Sequence, residues 1–331
     1  MKRTIFVFSS GKLHRKQNTI YFENSQNKKR YLPIENIQEI FIFGEVTINK
    51  KLLEYLSQKE IILHFYNHFG YYVGSFYPRF HYNSGFMVLK QAQNYLNEEK
   101  RIKLAKKFVK GAILNILKVI TYYKNRGRET EEEIKNIENL QEKIDECKNT
   151  SELMAIEGNV REYYYNCFDK ITENQEFSFK KRTKQPPQNR LNALISFGNS
   201  LLYTTILAEI YKTHLDPRIG FLHTTNFRRF SLNLDVAEIF KPIIVDRVIF
   251  TLLNKRMIST NDFLEDLGGI YLKEKGQKIF VEKFDERLRT TISDRGLGRN
   301  TSYRSLIRRE LHKIEKHLIE DKEYKPFVAR W

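Results

Sequence analysis

The chain has 331 residues, with 57 Lys and Arg against 40 Asp and Glu and a formal net charge of +17 at pH 7. Hydrophobic residues make up 41 %, which excludes wholesale disorder, and two cysteines without a CxxC argue against a disulfide framework or a zinc cluster. No apolar run approaches the roughly 20 residues of a membrane span. The basic excess favours a polyanionic partner, since each neutralised phosphate releases counterions, over the plainer alternative of a Lys-rich proteome.

In chain order, the N-terminal "MKRTIFVFSSGKLHRKQ" has an apolar run too short for a signal sequence and no small-residue cleavage site. It reads as a first strand, and a reducing cytoplasm is the expected location. "TIFVFSS", "NTIYFEN", "QEIFIFG", "EIILHFYN" and "YYVGSFYP" are β-branched and aromatic with period two, so they predict strands, with one short helix over about Asn49–Ser57. After "YPRFHYNSG" the period lengthens: Leu104, Phe108, Ala112, Asn115 and Ile116 form a helical stripe. Ile134, Ile137, Leu140, Ile144 and Cys147 form another across Thr130–Cys147. Helices are expected to the C-terminus, apart from a small hairpin near "GGIYLKEKGQKIFV". The fold class is therefore α+β. A mostly-β domain spans 1–85, and a larger all-α domain spans 86–331.

Asn149 and Glu152 form a plausible capping pair for the next helix, whose face carries Leu153, Ile156, Val160, Tyr164 and Cys167. Glu157 lies inside that stripe. An unpaired buried carboxylate costs several kcal/mol, on the order of the penalty for a lone buried charge, so Glu157 needs a partner. A buried Arg would serve as well as a cation. Gly158 costs roughly 1 kcal/mol against alanine in mid-helix, which is tolerable if something approaches the backbone there. Asp235 and Glu238, three residues apart on an apolar helix that starts near Ser231, repel each other unless a cation joins them. His223 stands just upstream in a loop. Glu157, His223 and Asp235 together offer hard oxygens and one nitrogen, which suits Mg²⁺ or Mn²⁺ better than structural zinc. Lys241, one turn past Glu238, can meet a phosphate as a point charge. These residues point to metal-dependent phosphodiester chemistry on nucleic acid.

Several blocks then resemble one family. "ELMAIEGNVREYY", "RTKQPPQNRLNALISFGNSLLY", "IGFLHTTNFRRFSLNLDVAEIFKPIIVDR" and "YRSLIRREL…YKPFVARW" look like the CRISPR-associated protein one family, the integrase of CRISPR adaptation. The N-terminal "IFIFGEVTIN" and "LHFYNHFGYYVGSFYPR" resemble its β domain. "KPFVARW" and "SFGN" look most like the subtype of type I-B systems. The resemblance implies metal ligands at Glu157, His223 and Asp235, an acidic neighbour at Glu238 and a basic one at Lys241. It also implies a tyrosine near the centre at Tyr203, which a core aromatic would explain equally well. The implied assembly is a homodimer through a sandwich-like β domain, with two dimers and the small second adaptation protein in a heterohexamer. The implied reaction is attack of a spacer DNA 3′-hydroxyl on a phosphodiester at the edge of a CRISPR repeat, with endonuclease side activity.

Basic residues flank these blocks. Arg182, Lys184 and Arg190 lie beside two prolines, Arg228 and Arg229 between the histidine and the acids, and Arg304 and Arg308 near the C-terminus. They are candidate contacts to double-stranded DNA, both spacer precursor and repeat. Two other readings compete: a non-catalytic basic DNA scaffold whose acids form an ion-pair cluster, and a metal-dependent RNA nuclease.

Overall fold

The structure is a computed structural model that describes residues 2–78, 82, 84–224, 230–294 and 298–330. Eight strands come first: β1 (Arg3–Val7), β2 (Gly11–Lys16), β3 (Thr19–Asn24), β4 (Lys29–Leu32), β5 (Ile37–Ile42), β6 (Val46–Thr47), β7 (Ile62–Tyr66) and β8 (Tyr72–Phe76). Helix α1 (Lys50–Gln58) connects β6 to β7, with the Asn49 side chain accepting from Leu52 N at its start. One sheet runs β1-β5-β7-β8, with β1 and β7 parallel to β5; the other runs β4-β3-β2-β6. Alternation along β5 divides the burial. Ile40 and Ile42 join Leu13, Ile20 and Leu52 in a core between the sheets and α1. Phe41 faces the other way, into the helical core with Tyr66 and Phe197.

The helices begin at α2 (Gly85–Leu96), followed by α3 (Glu98–Lys124), α4 (Glu131–Glu142), α5 (Thr150–Thr172), α6 (Arg190–Ile210), α7 (Ser231–Phe240) and α8 (Arg247–Asn254). A hairpin of β9 (Phe263–Asp266) and β10 (Gly269–Leu272) precedes α9 (Glu274–Arg289). A second, β11 (Thr291–Asp294) with β12 (Arg299–Ser302), precedes α10 (Tyr303–Leu318). Helix α6 is long and apolar enough for a membrane but lies buried among the others, with almost every residue out of solvent. Helix α7 packs between α3 and α6, so the acids it carries enter the helical core.

Some expectations shift. "KEKGQKIFV" belongs to α9 rather than to a hairpin strand, because Phe280 and Val281 pack inward at helical spacing with Phe284. The helix over Thr130–Cys147 stops at Glu142, and Lys143–Glu146 tighten into a 3₁₀ turn. Strands β2 and β4 are too charged to read from sequence; each buries one leucine, Leu13 and Leu32.

Candidate active site

Helix α5 starts as its sequence requires. The Asn149 side chain accepts from Glu152 N at 2.9 Å, while the Glu152 carboxylate accepts from Lys148 N at 2.7 Å. Two turns on, α5 presents Glu157 and Arg161 at i,i+4. Arg161 Nε donates to Glu157 Oε1 at 3.0 Å, and its Nη2 pairs with Glu238 Oε2 from α7. Lys241 Nζ takes the other oxygen of Glu238, and also lies 5.1 Å from the centre of the Tyr203 ring. A half-buried carboxylate, Glu157, and a buried one, Glu238, from different helices thus share one guanidinium.

The charges bias each other. Burial pushes Glu157 up from its ordinary value, and the facing charge of Glu238 pushes it the same way, against Arg161 and Lys241. Burial would raise Glu238 too, but Lys241 and Arg161 outweigh it and hold this acid far below the carboxylate range. A third acid, Asp246, is 3 % exposed, and burial pushes it up to about 6 although Arg161 pulls the other way. It ends a π-helical turn, Pro242–Asp246, between α7 and α8.

Asp235 does something different. Its Oδ2 accepts from the backbone N–H of Phe221 and of Leu222 (3.0 Å). Its Oδ1 accepts from His223 N at 2.9 Å and faces His223 Nδ1 at 2.8 Å. All four acceptor directions of the carboxylate are used. The loop can press this close because residue 220 is glycine: a Cβ there would lie 2.8 Å from Asp235 Oδ2 and 2.5 Å from the Ser231 backbone. Ser231 does not cap α7; its hydroxyl donates to Arg218 O and accepts from Gly220 N at 2.8 Å. Burial pulls the His223 imidazole down, but the Asp235 hydrogen bond and charge, with Glu238 behind, hold it above its ordinary value. A proton held on Nδ1 leaves the lone pair of the neutral ring on Nε2.

The sequence matches the CRISPR associated protein Cas1 family over residues 5–286. A CRISPR-associated endonuclease Cas1 of Thermodesulfovibrio yellowstonii is 60 % identical over 331 residues, covering all of both chains. The chain belongs to the Cas1 family. A solved CAS1 protein from Thermotoga maritima superposes with a TM-score of 0.88 at 47 % identity, covering 99 % of this chain and all of that one. A casposase bound to its integration product shares the fold alone, with a TM-score of 0.89 at 20 % identity over 99 % of this chain and 93 % of that one. This Cas1 is an enzyme of the endonuclease class, built as a strand-rich N-terminal region followed by a helical domain.

The structure sorts the expected site residues of this Cas1. Glu157, Glu238 and Lys241 converge through Arg161, with Tyr203 beside Lys241; His223 feels Glu238, but Asp235 is turned into its own loop. Among the described residues, no group of three His, Cys, Asp or Glu side chains is placed to hold one ion; Arg161 occupies one oxygen of Glu157, and Arg161 and Lys241 occupy the two oxygens of Glu238. Of the expected DNA contacts, Arg182 is committed internally, donating to Asn192 Oδ1 at 2.9 Å and Ser196 Oγ at 3.1 Å. Arg190 Nη1 donates to Glu176 O at 3.2 Å. Lys184 is exposed and close enough to Glu238 and Glu157 to feel their charge. Arg228 and Arg229 lie outside the described residues. Arg304 is an internal strut between the two parts of the fold: it binds Glu39 of β5 and Glu209 of α6, both 0 % exposed, and Arg308 Nε also reaches Glu209, at 2.6 Å. Arg161 and Asp246 were missed by sequence reading. Arg161 was findable, four residues after an acid on a buried stripe; Asp246 was not, because its placement depends on a helix irregularity.

Proposed function

We propose that this Cas1 catalyses metal-dependent transesterification, joining the 3′-hydroxyl ends of a short spacer DNA to a CRISPR repeat, with Mg²⁺ or Mn²⁺ bound by Glu157, Glu238 and the Nε2 of His223. The observation that carries this reading is the pairing of Glu157 and Glu238, from two helices, across one guanidinium. Two carboxylates from different helices drawn to one guanidinium offer the oxygens a divalent cation needs, with Glu238 raising the proton affinity of Glu157, and the imidazole of His223 completes a donor set of hard oxygen and borderline nitrogen. A bound divalent cation would supply Lewis-acid polarisation of the phosphodiester and activation of the attacking hydroxyl.

The chain's own residues do the rest. Asp235 takes the part of orienting carboxylate: it holds the His223 proton on Nδ1 and fixes the loop through three backbone amides. Lys241, released from Glu238, meets the phosphate that accumulates charge as the new P–O bond forms and the old one breaks, with the leaving 3′-oxygen taking up a proton. Lys184 stands at the exposed side to hold the backbone of the incoming strand. The DNA partners are the spacer precursor and the repeat. Assembly as a homodimer, and with the small second adaptation protein in a heterohexamer, follows from the family resemblance, as does the link to type I-B systems.

The test is a comparison of Glu238→Gln with Asp235→Asn in strand-transfer and Mn²⁺-binding assays. Glu238→Gln should lose both. Asp235→Asn should lose stability as well as activity, because an amide cannot accept all four bonds. If Glu238→Gln transferred strands normally, this ligand set would be wrong. The scaffold reading takes the same ion pairs as purely structural and expects no response to EDTA. Substituting RNA for DNA separates the nuclease alternative.

A further inference from the structure

Arg161 poses a problem for any cation entering this site, and Asp246 offers its solution. The guanidinium fills one oxygen of Glu157 and one of Glu238, and Lys241 fills the second oxygen of Glu238. A divalent ion needs those same lone pairs. Lys241, whose side chain is about as buried as that of Arg161, keeps a partner in the incoming phosphate, whereas Arg161 has none there. Arg161 is only 9 % exposed, so it cannot carry its charge out to water, and a buried charge left without a partner is strongly unfavourable.

Asp246 is 3 % exposed, and its Oδ2 has no hydrogen-bond partner although it is shielded from solvent. Its charge and that of Arg161 act on each other. Its position is set by the π turn. Glu238 and Asp246 are eight residues apart, which would put them about 80° apart around an unbroken α-helix. Pro242 cannot donate its nitrogen, and the chain instead closes with Asp246 N to Lys241 O at 3.1 Å, an i→i−5 bond. Taking up that extra residue reduces the offset to about 20°, so Asp246 lines up behind Glu238 on the face toward Arg161. Charge points the same way: Glu157, Glu238 and Asp246 outnumber Arg161 and Lys241, so the acids around the guanidinium are in excess and attract a divalent cation.

Resting on the metal-site reading above, we infer that Asp246 is the positioning residue that receives the Arg161 guanidinium when a divalent cation takes Glu157 and Glu238, so that the ion replaces an internal cation instead of stranding one. Among the described residues, Glu238, Glu157, Tyr165 and Asp246 act on Arg161, with Tyr164 beside Asp246; of these acids, Asp246 is the one the proposed ion does not take.

The experiment is calorimetric titration of Mn²⁺ into the full chain as wild type, Asp246→Asn, Arg161→Met and the double variant, each with its melting temperature. Asp246→Asn should weaken Mn²⁺ binding roughly 10- to 100-fold, the usual effect of losing a supporting partner of a metal site. It should melt no lower than wild type, because burial already disfavours the charge at this position. In the Arg161→Met background, with no guanidinium to rehouse, Asp246→Asn should change Mn²⁺ affinity less than twofold. Equal affinity in wild type and Asp246→Asn, or an equal loss in both backgrounds, overturns the role given to Asp246. Absence of Mn²⁺ binding in the wild type would instead overturn the metal-site reading itself.

Discussion

Removing Arg304 should unlock the two parts of the fold, and the size of the effect can be worked from its contacts. Its guanidinium donates Nε to Glu209 Oε1 at 2.8 Å, Nη1 to Thr4 Oγ1 at 3.2 Å and Nη2 to Glu39 Oε2 at 2.6 Å. In Arg304→Met, Glu209 keeps Arg308 at 2.6 Å and Lys212 at 3.1 Å, so the damage falls on Glu39. That acid retains the Thr4 hydroxyl at 2.9 Å and His64 at 3.7 Å, whose imidazole is kept low by its own burial. Stranding one buried carboxylate gives a loss of about 3–5 kcal/mol at pH 7. The assay is urea unfolding of wild type, Arg304→Met, Glu39→Gln and the double variant, at pH 7 and pH 5. Glu39→Gln should restore most of the loss in the double variant, and lowering the pH should narrow the gap, since protonating Glu39 removes the stranded charge. A loss under about 1 kcal/mol, or no rescue by Glu39→Gln, would refute the strut and return Arg304 to the DNA surface.

Three further outcomes follow from the same contacts. Glu209 is buried, which would raise its pKa, but Lys212, Arg304 and Arg308 lower it to about 2 from an ordinary 4.5. Its contribution, roughly 3 kcal/mol, is complete above about pH 4.5 and lost as pH falls through about 2, so Glu209→Gln should flatten the acid limb of a stability–pH profile measured by urea unfolding. Gly158 is exposed and a Cβ there meets nothing within 4 Å. Gly158→Ala should therefore raise stability by up to about 1 kcal/mol in the DNA-free chain while lowering strand transfer at unchanged Mn²⁺ affinity, if DNA packs against the helix beside Glu157. Lys184→Ala should weaken DNA binding and reduce the slope of log K against log salt by about 1, readable by fluorescence anisotropy, while leaving the unfolding midpoint in place.

The helices of this Cas1 were legible wherever one face is apolar and the other charged, as in α3, α4 and α5, and the strands wherever β-branched residues alternate, as in β5 and β7. Charged β2 and β4 were not, because pairing with β3 holds them in the sheet and each buries only one leucine. Glu157 stood out as a carboxylate in an apolar stripe, and pairing with some buried arginine was one of the two readings its position allowed. The division of labour between Asp235 and Glu238 could not be read. Both are acids on one turn of one helix, and only the approach of the Gly220–His223 loop shows which carboxylate is already saturated. Arg304 read as a surface cation because its two acids come from β5 and α6, 265 and 95 residues away in sequence.

The most direct measurement is strand transfer by purified Glu157→Gln beside wild type, using a short DNA duplex and a repeat-bearing plasmid, with Mn²⁺ and with EDTA. Wild type should form covalently joined product in Mn²⁺ and none in EDTA, while Glu157→Gln binds DNA and forms none in either. Normal joining by Glu157→Gln, or by wild type in EDTA, would contradict the account.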